Sequence, residues 1–139
     1  MKKQFILWQK KWETGIKTID DQHKHFVGII NRAYTLDEKG KDKEVLGEIL
    51  NELIEYARIH FSTEEGYFED TEYPQAEEHM EKHQIMLVKV LKFSQRFEKK
   101  EDVSVLVKDF LIFLRDWLDD HLIKVDHKYI PWLTEHGIK

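Results

Sequence analysis

The sequence predicts an all-α fold: an up-down-up-down four-helix bundle with an N-terminal arm and a short C-terminal tail. Three observations carry this expectation. Apolar residues recur at spacings of three and four through four successive segments, the pattern of helices that each bury one face. Only two prolines and six glycines punctuate 139 residues, so the elements are few and long. No alternation of period two survives over a useful length, which leaves no candidate strand.

Residues 1–18 form the arm, whose Phe5, Trp8 and Trp12 are expected to lie against the bundle. The bundle itself is assigned to residues 19–127. Its first segment, Ile19 to Glu38, carries Ile19, His23, Phe26, Val27, Ile30 and Tyr34 on one stripe and stops at Gly40. The second follows Asp42, a candidate N-cap, with Leu46, Ile49, Leu50, Leu53, Ala57, His60, Phe61, Glu64 and Phe68. The third opens at Pro74, a residue favoured in a first helical turn, and carries His79, Met80, His83, Met86, Leu87, Val90 and Phe97. The fourth follows Asp102 with Leu106, Val107, Phe110, Leu111, Leu114, Trp117, Leu118, His121 and Val125, closing near His127. Short breaks make neighbouring helices antiparallel. The tail, 128–139, brings Tyr129 to Leu133 back onto the bundle. No internal repeat or linker interrupts this single-domain arrangement.

Composition narrows the chemistry. The absence of cysteine excludes thiol catalysis, zinc fingers, cysteine-ligated iron–sulfur clusters and c-type haem attachment. With 22 Lys and Arg against 27 Asp and Glu and no long basic run, nucleic acid is not an expected partner. The apolar patch Phe5-Ile6-Leu7-Trp8 is too short for a secretory signal, and no stretch approaches the ~18 apolar residues of a membrane span. The expected location is the cytoplasm.

Polar residues interrupt the apolar stripes: His23 in the first, His60 and Glu64 in the second, His79 and His83 in the third, His121 in the fourth. Burying such groups unpaired costs several kcal/mol each. His79/His83 and His60/Glu64 are i,i+4 pairs, so each shares a helix face. In an up-down-up-down bundle the start of helices one and three and the end of helices two and four meet at one end. At 1.5 Å per residue His23 lies about 6 Å into helix one, and His79 and His83 about 8 and 13 Å into helix three. Glu64 and His60 lie about 8 and 13 Å from the finish of helix two, and His121 about 9 Å from that of helix four. All six fall in one slab on inward faces, which points to a metal centre inside the bundle. Asp126 matches this level but not the phase. Five residues after His121, it is rotated about 140° in an ideal helix, and phase alone makes it a solvated residue unless a π-bulge or opened turn brings it round.

So many nitrogen and oxygen donors exceed one four-coordinate zinc, and calcium and magnesium want oxygen. They suit two first-row transition ions bridged by carboxylates, iron foremost. A ferritin-like centre needs Glu-x-x-His motifs, and no histidine here has a glutamate three residues before it. His79-Met80-Glu81-Lys82-His83 sets its glutamate one place late for a zinc-protease helix. For His25, about 200° from His23 around the helix, and for His127 and His136 near the tail, a solvated position is expected.

The chain resembles the hemerythrin family, in its single-domain bacterial form, over nearly its whole length. The resemblance rests on Trp8, Gly15-Ile16, Ile19-Asp20-Asp21-Gln22-His23, His60-Phe61-Ser62-Thr63-Glu64-Glu65 and Tyr73-Pro74. It continues through the His79/His83 pair and Trp117-Leu118-Asp119-Asp120-His121 with Asp126 and Tyr129. It implies that His79, His83 and His121 bind one iron and His23 and His60 the other, the latter keeping a position open for dioxygen. Glu64 and Asp126, against its phase, would bridge the ions with an oxo or hydroxo group. It implies reversible dioxygen binding without catalysis, as a carrier or store. An apolar pocket of Leu114, Trp117, Leu118 and Leu122 is nominated to shield the bound gas, with core packing as its simpler role. Three other functions compete. The first is oxygen or redox sensing, disfavoured because one bundle accounts for the chain, unless a separate protein partner takes the signal or the oxygen. The second is oxidase, peroxidase or nitric oxide reductase turnover, and the third is iron storage, for which a small bundle lacks a mineral cavity.

Overall fold

A computed structural model of the chain describes residues 6–39 and 43–139. Among the described residues five α-helices run in the order α1 Lys17–Lys39, α2 Lys43–Thr71, α3 Ala76–Glu98, α4 Val103–Trp117 and α5 Ile130–Glu135. The first four form the bundle. α1 packs on α2 and α4, and α3 packs on α2 and, less closely, on α4. Gly40, Asp42 and Phe5 lie outside the described residues. No helix among those described is long and apolar enough to cross a membrane.

The helix ends show how the turns are built. α2 finishes in a Schellman motif: Glu72 takes a left-handed φ of 54°, and the Tyr73 amide reaches back to the Phe68 carbonyl at 3.0 Å. The rings of those two residues then pack with centroids 4.9 Å apart, the apolar contact that accompanies this motif. The motif holds Pro74 in the connecting turn, so α3 begins at Ala76 and not at the proline. Lys100 ends α3 in the same way, with φ 62° and the Glu101 amide bonded to the Arg96 carbonyl at 3.3 Å. α4 starts directly after Asp102, as expected, and the Asp102 side chain caps it by accepting from the Ser104 amide.

At the other end of α1, Asp20 organises the entry of the arm. Its carboxylate accepts from the Thr14 amide at 2.8 Å, the Thr14 hydroxyl at 2.9 Å and the Gly15 amide at 3.2 Å. Gly15 turns the chain there at φ 85°, a conformation that costs a residue with a Cβ roughly 1–2 kcal/mol. Trp12 is buried and Trp8 packs beside it. His127 Nε2 lies 3.0 Å from the Trp12 carbonyl oxygen, so His127 is half-buried and pins the arm. That corrects the expectation of a solvated side chain.

The fourth segment departs furthest from a regular helix. After Trp117 the chain is wound as a π-helix over Leu118–Val125 and a single 3-10 turn over Asp126–Tyr129, before α5 resumes. Two apolar clusters result. The larger fills the bundle through Phe26, Leu53, Met86, Phe110 and Leu114. The smaller joins Ile16, Ile19, Phe68, Tyr73, Tyr129 and Leu133. Along α1 and α2 the buried histidines fall between residues of the two clusters, so the polar layer is closed on both sides.

Candidate metal centre

His23, His60, Glu64, His79, His83, His121 and Asp126 converge, and all seven are buried, at 0–3 % exposure. Their donor atoms fall into two groups within ion-sized reach: Glu64, His79, His83 and His121 in one, His23, His60, Glu64 and Asp126 in the other. Every one of the five imidazoles presents Nε2 inward.

The carboxylates are divided between the groups oxygen by oxygen. Asp126 Oδ1 lies 3.0 Å from both His79 and His121, while its Oδ2 lies 3.0 Å from His23 and 3.4 Å from His60. Glu64 Oε1 is 3.1 Å from His79 and 2.9 Å from His83, and its Oε2 is 3.3 Å from His60. The π-helix makes this possible. Its wider winding offsets the 140° that separates residues five apart in an α-helix, so Asp126 faces inward with His121.

The next layer of residues fixes the ring orientations. His60 Nδ1 lies 2.7 Å from Gln22 Oε1, and the Gln22 amide nitrogen donates to Thr63 at 3.0 Å. His83 Nδ1 meets Glu65 Oε2 at 2.9 Å. An Nδ1–H donated outward leaves Nε2 as the lone-pair donor toward the site, the usual support of a metal-bound histidine. Tyr129 donates to Glu64 Oε2 at 2.6 Å. Rings are also held by stacking: His83 on Phe61 at 3.8 Å, His121 on Trp117 at 3.9 Å, and His60 on Tyr56 at 5.3 Å. Gln22, Glu65 and Tyr129 had no role in the reading of spacing, because they follow no periodic pattern of their own.

Electrostatics oppose each other strongly here. Burial works against charge on every group, and the two carboxylates repel. The surrounding imidazoles nonetheless hold Glu64 and Asp126 well below the usual carboxylate range. In return, although burial disfavours its cation, His60 is lifted to about 10 by Glu64 and Asp126, and His79 to about 9 by the same two groups. His121 goes the other way, because burial outweighs the pull of Asp126. Burial and the nearby carboxylates raise Tyr129 well above its ordinary value, so it is a proton donor to Glu64 and not a phenolate.

The donor set fits a pair of cations. His121 Nε2 and Asp126 Oδ1 are buried without an aligned hydrogen bond although 3.0 Å apart, an arrangement that costs energy unless something positive lies between them. Five imidazole nitrogens with two carboxylates suit two first-row transition ions. Replacing Tyr129 by Phe removes the bond that orients Glu64, and the metal affinity is expected to fall about 10–100-fold, measured by competition with a chelator. Unchanged affinity would show that Glu64 is positioned without it.

The nominated apolar pocket divides. Leu118 and Leu122, with Trp8, Trp12 and Ile123, line a small cavity of about 10 Å³ beside His23. Leu114 is buried in the main core. Trp117 instead stacks on His121 and faces the groove between α3 and α4. His25 is exposed and paired with Glu52, and His136 is exposed and stacked on Trp132, as expected of residues away from the site.

A family model described as the hemerythrin HHE cation binding domain matches residues 14–133. The chain is 33% identical over 125 residues to a bacteriohemerythrin of Pseudomonas aeruginosa, covering 90% of this chain and 79% of that one. It is 32% identical over 128 residues to a bacteriohemerythrin of Clostridium acetobutylicum, covering 90% and 98%. A crystal structure of wild-type hemerythrin, 26% identical, superposes with a TM-score of 0.81 over 94% of this chain and 99% of the other.

Proposed function

Because this chain belongs to the hemerythrin HHE cation-binding family, we propose that it binds dioxygen reversibly at a non-haem di-iron centre, as a carrier or store. The observation that most supports the reading is the division of Glu64 and Asp126 between two donor groups, each carboxylate offering one oxygen to either side. His79, His83 and His121 would hold one iron and His23 and His60 the other, with Glu64 and Asp126 shared. When bound, the iron pair supplies the two electrons that dioxygen takes up and returns.

The chain's own part is restraint. Three histidines against two would make the sites unequal and leave the His23/His60 side the one able to accept dioxygen. The cavity beside His23 lies on that side. Its walls are Leu118, Leu122, Ile123 and the two tryptophans of the arm, and its volume is near the minimum that admits a single water-sized molecule. An apolar cavity of that size stays dry and keeps protons away from bound gas. Gln22, Glu65 and Tyr129 hold ligand orientations fixed, so the donors need not rearrange.

Iron analysis and an optical spectrum test the proposal. The aerobic protein is expected to carry about two irons per chain and a charge-transfer band that fades on deoxygenation and returns with air. Irreversible oxidation on first exposure, or turnover of peroxide with a reductant, would contradict carriage and assign sensing or enzymatic work.

A further inference from the structure

α3 and α4 are the most loosely packed neighbours of the bundle, and the gap between them is a groove of about 290 Å³ that reaches His121. Its floor is apolar and aromatic, formed by Ile85, Phe113, Trp117 and Val125. Lys82 and Lys89 line it from α3, Asp116 and Asp120 from the opposite wall. A second recess of about 280 Å³ continues the groove along the same seam past Lys89, Lys92, Phe93 and Phe113. In a chain of net charge -5, this α3 edge is a local row of cations beside an aromatic floor. Trp117 joins the groove to the buried site: it is half-buried, and its ring lies on that of His121 at 3.9 Å and 11°.

We propose that this groove docks a small planar aromatic reductant bearing a negative charge, of the reduced-flavin class, and that Trp117 conducts its electrons to His121. The inference rests on the di-iron reading above. A ferrous centre that binds dioxygen reversibly is slowly oxidised to a form that no longer binds it, so recovery requires an electron source. A flat ring system fits between Phe113, Ile85 and Trp117, its anionic substituent meets Lys82 and Lys89, and its ring N–H donors face Asp116 and Asp120. The flavin hydroquinone anion would give up two electrons, the number a diferric pair needs to become diferrous, and one ring N–H proton to solvent, leaving oxidised flavin. Trp117 is a positioning and conducting residue here, not a catalytic one: two rings in face contact link the aromatic floor of the groove to a histidine of the site.

Flavin mononucleotide is the probe. Added in oxidised form to the iron-loaded protein, it is expected to lose fluorescence on binding. The double variant Lys82→Glu/Lys89→Glu should weaken that binding on the order of tenfold while leaving reversible dioxygen binding unchanged. With reduced flavin mononucleotide in anaerobic stopped flow, the recovery rate of the oxidised protein should saturate with flavin concentration. The double variant should raise the half-saturation point. Trp117→Leu should lower the limiting rate several-fold, and Trp117→Phe, which keeps a stacked ring, should restore much of it. Absence of quenching, a rate linear in flavin, or equal rates in all variants would overturn the groove as a docking site. The binding arm needs no dioxygen chemistry, so quenching without reversible oxygenation would indict the functional reading and spare the groove. Reversible oxygenation without quenching would do the reverse.

Discussion

Glu64→Ala is expected to reduce bound metal from about two ions per chain to one or fewer and to destabilise the metal-free protein as well. The carboxylate touches three of the five histidines, with oxygen–nitrogen distances of 2.9–3.3 Å. Its removal strips a donor from both groups, leaves His60 and His79 facing Asp126 alone, and takes from His83 Nε2 its carboxylate partner. Breaking a buried charge pair by deleting one partner costs about 3–5 kcal/mol, a large part of the stability of an ordinary domain. Glu64→Gln separates charge from shape, since it keeps the volume and one acceptor. It is expected to fold with a smaller loss yet still fail to hold the second ion. Metal analysis and urea unfolding of chelated protein check both variants. Full metal content in Glu64→Ala would remove the residue from the site.

Metal loading is expected to release protons, and the sign of the pH dependence should differ between chelated and loaded protein. His60 and His79 titrate near 10 and 9, so at pH 7.5 both are cations before metal enters, and a bound imidazole must be neutral. Calorimetry in buffers of different ionisation enthalpy should therefore report about two protons displaced by loading. For the chelated protein the raised histidines contribute stability that is complete below their unfolded value near 6.5. That contribution is lost as pH rises through 9 and 10. The depressed carboxylates contribute above the ordinary carboxylate range and lose that contribution as pH falls below it. Chelated protein should be most stable between roughly pH 5 and 6.5, with a melting temperature falling on the order of 10 °C from there to pH 9.5. Loaded protein should show no such alkaline decline. Proton release near zero, or parallel melting profiles, would mean that the carboxylates do not hold these histidines charged.

Most of the site could be read before any coordinates, because helices convert sequence spacing into depth. Six of its residues sit on apolar stripes at similar distances from helix ends, and 1.5 Å per residue brings them to one level. Asp126 could not be read this way. The π winding of Leu118–Val125 follows from what the bundle packs inward, with no local signature in those eight residues. Family resemblance, and not phase, placed Asp126 inside. The turn ends were hidden for a related reason. Glu72 and Lys100 occupy left-handed positions usually held by glycine, so nothing marked the Schellman motif that moves the start of α3 past Pro74. His127 was assigned to solvent from its place near the tail, but the arm folds back over it. Gln22 and Glu65 sit next to ligand candidates in sequence, yet adjacency on a helix points side chains about 100° apart. Only the assembled bundle shows which neighbour each one serves.

The most direct measurement is a crystal of the aerobically iron-loaded chain with anomalous data collected at the iron edge. Two peaks about 3.5 Å apart are expected, one ringed by His79, His83 and His121 and the other flanked by His23 and His60, with Glu64 and Asp126 reaching both. A solitary peak among these side chains, or iron bound only on the outer surface, would contradict the account.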